Sequence, residues 1–328
     1  MKKIVSLSPL NPDVLMAMIR GAGLTIPGDI EIINGSALPD DALSGEIGNA
    51  DIILGDYTFN RKITADMARA AKKAKLVQQP SVGYQNIDVD ACAAAGIPVA
   101  NAAGANTASV AEHTVMAALA LLKKLVAAHR STAAGGWRQM DIGAGELQGR
   151  TWGLVGMGRI GRAVAERIAP FGVRTIYSDT KKLSAADGKK LRAAMSGLED
   201  LLKTADIISL HCPLTDDTRG LIGEKNIALM KPSSLIINVA RGEVIDEPAL
   251  ARALREKRIG GAALDVFSRE PIGSDNPLLG LEDANLLLTP HIAGATNEAK
   301  IRIITAAVTN MVNVLNGKKP DFVVNDVP

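Results

Sequence analysis

"TWGLVGMGRIGRAVAERIAPFGVRTIYSD", residues 151–179, gives its structural instructions in a fixed order. Thr151–Val155 is short and apolar, as a strand covered on both faces must be. Gly156, Gly158 and Gly161 then form G-x-G-x-x-G and open a helical stretch over 159–169. A second apolar run follows and ends on Asp179, 18 residues beyond Gly161. Glycine triplets alone are common. A triplet between a strand and a helix, with an acid at the next strand's end, marks a dinucleotide-binding βαβ unit.

Each part has a physical reason. The first glycine allows a tight turn, the second admits a pyrophosphate, and the third lets helix and strand pack closely. The free N–H groups at the helix start, from Arg159 and Ile160 onward, carry a partial positive charge suited to phosphate. The Asp179 carboxylate can accept both ribose hydroxyls and repels a 2′-phosphate. NAD is therefore expected over NADP, a preference softened by Lys181 and Lys182. The plain alternative is a glycine-rich turn without a ligand.

Outward from this unit, short apolar runs alternate with helical stretches almost throughout. "KKIVSL", "ADIILGD", "AKLVQQ" and "IPVAN" precede it; "ADIISLH", "SLIINVA", "GAALDVF" and "NLLLTPH" follow. The rhythm predicts an α/β protein with doubly wound parallel sheets. At 328 residues the chain exceeds what one core usually holds, so two domains are expected. "ADIILGDYT" (50–58) and "ADIISLHCPLT" (205–215) echo each other, as two domains of similar architecture would. Residues 106–130 read as one long helix, apolar nearly all round and buried between layers or domains. Residues 131–150 read as a glycine-rich arm, and 298–320 as a second long helix stopped by Gly317 and Pro320.

Composition removes several function classes. The 37 basic and 35 acidic residues nearly balance, which leaves no field for nucleic acid. Aromatics are 3%, too few for base-stacking platforms. Two cysteines, Cys92 and Cys212, make neither a disulfide framework nor a metal spacing, and fit a cytoplasmic setting. The start reads as a first strand, not a signal peptide. The longest lipid-like run, 114–122, is far shorter than a membrane span.

In open parallel sheets ligands sit outside the carboxyl ends of strands. His211, Arg241, Asp265, Glu270 and His291 all fall there. Arg241 follows the apolar run "LIINVA", where a permanent cation needs an anionic partner; its guanidinium fork fits a carboxylate. Gly242 is expected to give the chain room to turn. His291 is a natural proton exchanger and Glu270 its orienter. His211, followed by Cys212 and Pro213, is placed nearer the cofactor. A structural ion pair for Arg241 and a satisfied structural histidine at 291 are the alternatives.

These residues and their surroundings resemble the D-isomer-specific 2-hydroxyacid dehydrogenase family over nearly the whole chain. "SVGYQNIDVDACAAAGIPVAN", "NTASVAEHTV", "GLVGMGRIGRAVA", "LHCPLTDDTRGLI", "MKPSSLIINVARGEVIDEPAL", "GAALDVFSREP" and "LLLTPHIAGAT" carry the likeness. The resemblance implies a catalytic set of Arg241, Glu270 and His291. It implies that backbone N–H groups at Val82 and Gly83 share the substrate carboxylate with Arg241, Tyr84 lying alongside. It places Asp265 near the nicotinamide carboxamide. It implies an NAD-binding domain, 101–292, inserted into a discontinuous substrate domain, 1–100 and 293–328, whose closure excludes water. A homodimer joined through the cofactor domain is also implied.

The nearest subgroup is the short form similar to glycerate dehydrogenases and hydroxypyruvate–glyoxylate reductases, without a regulatory domain. Thr58 and Phe59 stand where phosphoglycerate dehydrogenases carry an Arg-Ser pair, which disfavours a phosphorylated substrate. Tyr57, Phe59 and Tyr84 offer an apolar wall. Glu270 argues against formate, whose dehydrogenases carry Gln there. The expectation is hydride exchange between NAD(H) and C2 of a small anionic 2-hydroxy or 2-keto acid, with no nucleic-acid or membrane partner. The alternatives are an NAD-sensing corepressor-like binding protein of the same fold, or phosphite oxidation.

Overall fold

The computed structural model of the chain describes residues 1–25, 28–281 and 284–327. Its strands form two parallel sheets. In the first, β1 (Lys2–Ser6), β2 (Ile30–Asn34), β3 (Ile52–Leu54), β4 (Leu76–Gln78) and β5 (Val99–Ala100) lie in the order β2-β1-β3-β4-β5. The second contains β6 (Thr151–Val155), β7 (Arg174–Ser178), β8 (Ala193–Met195), β9 (Ile207–Leu210), β10 (Leu235–Asn238), β11 (Gly261–Leu264) and β12 (Leu286–Leu288). Their order is β12-β11-β10-β9-β6-β7-β8. The winding reverses between β6 and β9, and such a switch point opens a crevice at the strands' carboxyl ends. This is the α/β, doubly wound class that the alternating rhythm predicts.

The chain divides into two compact units, Met1–Asn106 with Asn297–Pro328, and Thr107–Thr296. The expected boundaries, 100/101 and 292/293, each lie a few residues earlier, and Pro328 falls outside the described residues. Strands β9, β10 and β11 are buried along their whole length, which explains their unbroken apolar sequences.

Two strands escape the sequence reading, β2 and β8, and both are edges. In β2, Glu31 interrupts the apolar run and pairs with Lys3 at 3.4 Å. β8 is three residues long and largely exposed. The long helix expected over 106–130 is broken into Thr107–Leu122 and Leu125–Ala133. Lys124 takes a left-handed conformation, φ 52°, at the break. Other segments claim the carbonyls of the last turn: Asn285 Nδ2 donates to Leu121 O at 3.2 Å and Gly145 N to Leu122 O at 2.8 Å. Thr107–Leu122 is buried within its own unit, in one core with Trp152, Leu154, Val164 and Ile237. Among the described residues no helix is long and apolar enough to cross a membrane.

In the first unit the C-terminal helix Asn297–Leu315 is fastened to the N-terminal sheet by one buried amide. Asn310 Nδ2 donates to Gln78 Oε1 and to Asp321 O, both at 2.9 Å, and its Oδ1 accepts Asp321 N at 2.9 Å. Replacing Asn310 by Ala leaves the buried Gln78 Oε1 without a donor and removes the tie to Asp321. Denaturant unfolding followed by circular dichroism should show a loss of roughly 2–3 kcal/mol.

Candidate active site

The glycine turn follows β6, and its three glycines have different causes. Gly156 has φ +97°, and a Cβ there would sit 2.7 Å from His211 C and Cys212 N. A Cβ on Gly161 would collide with Gly156 O, so the helix Arg159–Ile168 could not pack. Gly158 has φ −75°, and a Cβ there would meet nothing within 4 Å. Neither strain nor internal packing requires glycine at 158; access to the open space does. Beside it, the Arg159 and Ile160 N–H groups have no acceptor among the described residues. This cradle fits a dinucleotide pyrophosphate.

Asp179 ends β7 and reaches back to the turn. Its Oδ2 accepts Met157 N at 2.6 Å and its Oδ1 accepts Lys181 N at 2.8 Å. Burial alone would raise its pKa, but the N–H groups of Met157, Lys181 and Thr180 and the Thr180 hydroxyl outweigh it. The carboxyl stays ionised, below its usual range. Asp179 therefore shapes the turn.

His211 follows β9, and its N–H donates to Val155 O at 2.7 Å, beside Gly156. Trp152 Nε1 donates to Ser209 Oγ at 2.9 Å, and Ser209 Oγ lies 2.9 Å from His211 Nε2. Burial pushes the imidazole pKa down to about 3, so His211 is neutral. Cys212 is half-buried and Pro213 exposed. Burial and the nearby Asp179 charge raise the Cys212 thiol.

Arg241 enters the same crevice at the end of β10. The buried Asn238 folds the turn: its Oδ1 accepts Ala240 N at 3.0 Å and its Nδ2 donates to Arg241 O at 2.9 Å. Arg241 Nη1 donates to Ala240 O at 2.7 Å, and among the described residues no carboxylate pairs with the guanidinium. Gly242 does not serve the turn as expected. A Cβ there would overlap the Phe267–Ser268 backbone, so the glycine permits a close approach of that segment. Glu247, which the sequence reading missed, holds it from the other side. Its buried carboxylate accepts Ser268 N at 2.6 Å and Asn276 Nδ2 at 2.7 Å.

Glu270 and His291 meet across 21 residues of sequence, Oε2 to Nδ1 at 2.6 Å. Glu270 Oε1 also accepts Phe267 N at 2.9 Å. The Glu270 hydrogen bond raises the His291 pKa against the effect of burial. The Glu270 and Asp265 charges add to it and Arg241 opposes it. For Glu270, burial would raise the pKa. The His291 and Phe267 hydrogen bonds, with the His291 and Arg241 charges, hold it below its usual value.

Asp265 follows β11 and is 2% exposed. Its Oδ1 accepts Thr289 Oγ1 at 2.6 Å and Ile292 N at 2.9 Å, and its Oδ2 accepts Ala293 N at 2.7 Å. It therefore anchors the loop carrying His291. His113, read only as a helix residue, lies 3.3 Å from Thr289 Oγ1. No sequence spacing pointed to this anchor. Val82, Gly83 and Tyr84 belong to the other unit, where their N–H groups have no acceptor among the described residues.

Comparison with known proteins agrees with this geometry. A family model described as the NAD-binding domain of D-isomer specific 2-hydroxyacid dehydrogenases matches residues 115–293. Glyoxylate reductase of Aeropyrum pernix is 39% identical over 295 residues, 88% of this chain and 86% of that protein. D-3-phosphoglycerate dehydrogenase of Methanocaldococcus jannaschii is 38% identical over 99% of this chain and 60% of its own length. The structure of D-lactate dehydrogenase from Aquifex aeolicus, complexed with NAD and lactic acid, superimposes with a TM-score of 0.81. It shares 30% identity over 96% of each chain.

The Glu270–His291 pair has a measurable signature. Glu270→Gln keeps the shape and removes the charge, so the His291 pKa read by NMR should fall. Stability follows with a defined sign. A histidine pKa raised by folding stabilises below the unfolded value near 6.5 and loses that contribution as pH rises through the folded value. Denaturant unfolding of wild type and Glu270→Gln at about pH 5.5 and about pH 8.5 should therefore differ more at the lower pH.

Proposed function

The chain belongs to the D-isomer specific 2-hydroxyacid dehydrogenase family, and from that premise we propose how its residues perform the reaction. The protein is an NAD(P)-dependent oxidoreductase of 2-hydroxy and 2-keto acids. We propose that its substrate is a small unphosphorylated acid of the glyoxylate type and that His291 is the general acid/base. The observation that carries the reading is the Glu270–His291 hydrogen bond, in the same unit as a guanidinium without a carboxylate partner among the described residues.

A bound nicotinamide dinucleotide supplies or accepts the hydride at C2. His291 holds the proton. Glu270 occupies its Nδ1, so Nε2 faces the reacting oxygen: the imidazolium protonates the forming alkoxide in reduction, and the neutral ring takes the hydroxyl proton in oxidation. Arg241 grips the carboxylate and polarises the carbonyl through its fork of donors. Asp265 keeps the His291 loop in place. Gly156, Gly158, Arg159, Ile160, Gly161 and Asp179 hold the cofactor, with His211, Cys212 and Pro213 alongside. Asp179 favours NAD over NADP.

Two observations support an unphosphorylated substrate. Thr58 and Phe59 carry no cation. The neighbouring Arg61 is already engaged by Asp40 at 2.8 Å, Ser36 O at 3.2 Å and Leu38 O. A cytoplasmic homodimer completes the proposal. Its support is the two free cysteines and the exposed Leu125, Trp137 and Met140, the last two 80% and 93% accessible.

The direct test is NADH oxidation against a panel of 2-keto acids, with NADPH and 3-phosphohydroxypyruvate as counter-probes. Turnover of glyoxylate or hydroxypyruvate with NADH is expected. Turnover of the phosphorylated acid alone would overturn the substrate assignment. In the same assay Arg241→Lys keeps the charge and loses the fork, so kcat/KM should fall by about 2–4 kcal/mol in transition-state binding. Activity within about a factor of two of wild type would remove the bidentate contact from the mechanism.

A further inference from the structure

Beyond β4 the first unit holds a loop with three consecutive carbonyls tied down. Ser81 O accepts Ala102 N at 3.0 Å. Val82 O accepts Asn101 Nδ2 at 2.7 Å, and Gly83 O accepts Ser81 Oγ at 2.6 Å. Across a trans peptide the next residue's N–H points opposite to the carbonyl. Fixing these three oxygens therefore fixes the N–H groups of Val82, Gly83 and Tyr84, which have no acceptor among the described residues. Consecutive main-chain donors held this way suit a carboxylate.

The support extends one layer further. Gln79 Nε2 donates to Ser81 Oγ at 2.8 Å, which commits the Ser81 hydroxyl hydrogen to Gly83 O. The same nitrogen donates to Asp56 O at 3.1 Å. Gln79 is fully buried, and its own Oε1 has no hydrogen-bond partner among the described residues. A buried unpaired carbonyl costs stability, so Gln79 is present for its two donors and not for the core. Asn101 is likewise buried. Its Oδ1 accepts Ala103 N at 3.1 Å, which fixes the amide so that Nδ2 faces Val82 O.

We infer that Gln79, Ser81 and Asn101 are positioning residues that preorganise the N–H groups of Val82, Gly83 and Tyr84 as a cradle for the substrate carboxylate. The inference rests on the 2-keto-acid reading above. It adds the Tyr84 N–H to the expected pair and gives the buried Gln79 and Asn101 and the half-buried Ser81 a task. Donors already aimed need no ordering when the acid binds, so the cradle acts on affinity.

The test is steady-state reduction by wild type, Ser81→Ala, Ser81→Thr and Gln79→Leu, with glyoxylate and its uncharged methyl ester as probes. Ser81→Ala should raise the glyoxylate KM by about tenfold or more and leave kcat within about threefold. Its preference for acid over ester should shrink by a similar factor. Ser81→Thr keeps the hydroxyl and should restore both. Gln79→Leu should shift KM the same way with an undiminished melting temperature, because the unpaired carbonyl is gone. NADH affinity, read by fluorescence titration, should not change in any variant. An unchanged KM and acid-to-ester ratio in Ser81→Ala and Gln79→Leu overturns the inference, and so does a loss confined to kcat and melting temperature. Wild type that reduces none of the 2-keto acids overturns the parent reading itself.

Discussion

The second unit depends on one buried carboxylate. Asp265 receives the Thr289 hydroxyl and the main-chain N–H groups of Ile292 and Ala293, while its own carbonyl accepts His291 N at 2.8 Å. A buried charge survives only with a full set of donors. Here those donors come from the segment on both sides of His291, so stabilising the charge and fixing the histidine are one event. His291 has φ +54°, a conformation a histidine rarely adopts unless its neighbours hold it there. The structural task of Asp265 is to keep this loop from relaxing.

Gly242 sets the complementary constraint. Only a residue without Cβ lets the Arg241–Gly242 corner lie against the Phe267–Ser268 backbone. That segment then bends so that Phe267 N and His291 Nδ1 share the two oxygens of Glu270. Three groups of unlike charge are thereby grouped around one imidazole. Glu270 and Asp265 raise its proton affinity and Arg241 lowers it. The role proposed for His291 needs both protonation states within reach, and these neighbours pull in opposite directions.

Much of this was legible in the sequence because it depends on local rules. The glycine turn with its flanking strand and acid, the strand-end positions of Arg241, Asp265 and His291, and the parallel rhythm all follow from spacing. The losses have equally physical causes. β2 and β8 lie at sheet edges, where half-burial dilutes the apolar signal. The break at Lys124 comes from carbonyls claimed by residues far along the chain, which no helix propensity encodes. Glu247 and the Asp265 anchor are carboxylates that act on main-chain N–H groups, and every residue but proline offers one. Spacing cannot mark such a pair. Gly242 was found for the wrong reason, since a turn and a close approach leave the same letter in the sequence.

The histidines show why chemistry needs the fold. His211, His113 and His291 all lie in the same unit, and composition cannot tell them apart. His211 has no carboxylate in hydrogen-bond reach among the described residues, and burial of its ring drives its pKa to about 3. His113 is half-buried, with Asp265 Oδ1 at 3.9 Å; burial lowers its pKa and the charge offsets only part of that. Of the three, and among the described residues, only His291 makes a direct bond to a carboxylate, at 2.6 Å, and only it has its proton affinity raised. Desolvation acts on all three in the same direction. What separates His291 from the other two is contact with an acid whose position is set by Phe267, Ser268 and Gly242. The role proposed for His291 thus depends on how residues that never touch it place Glu270.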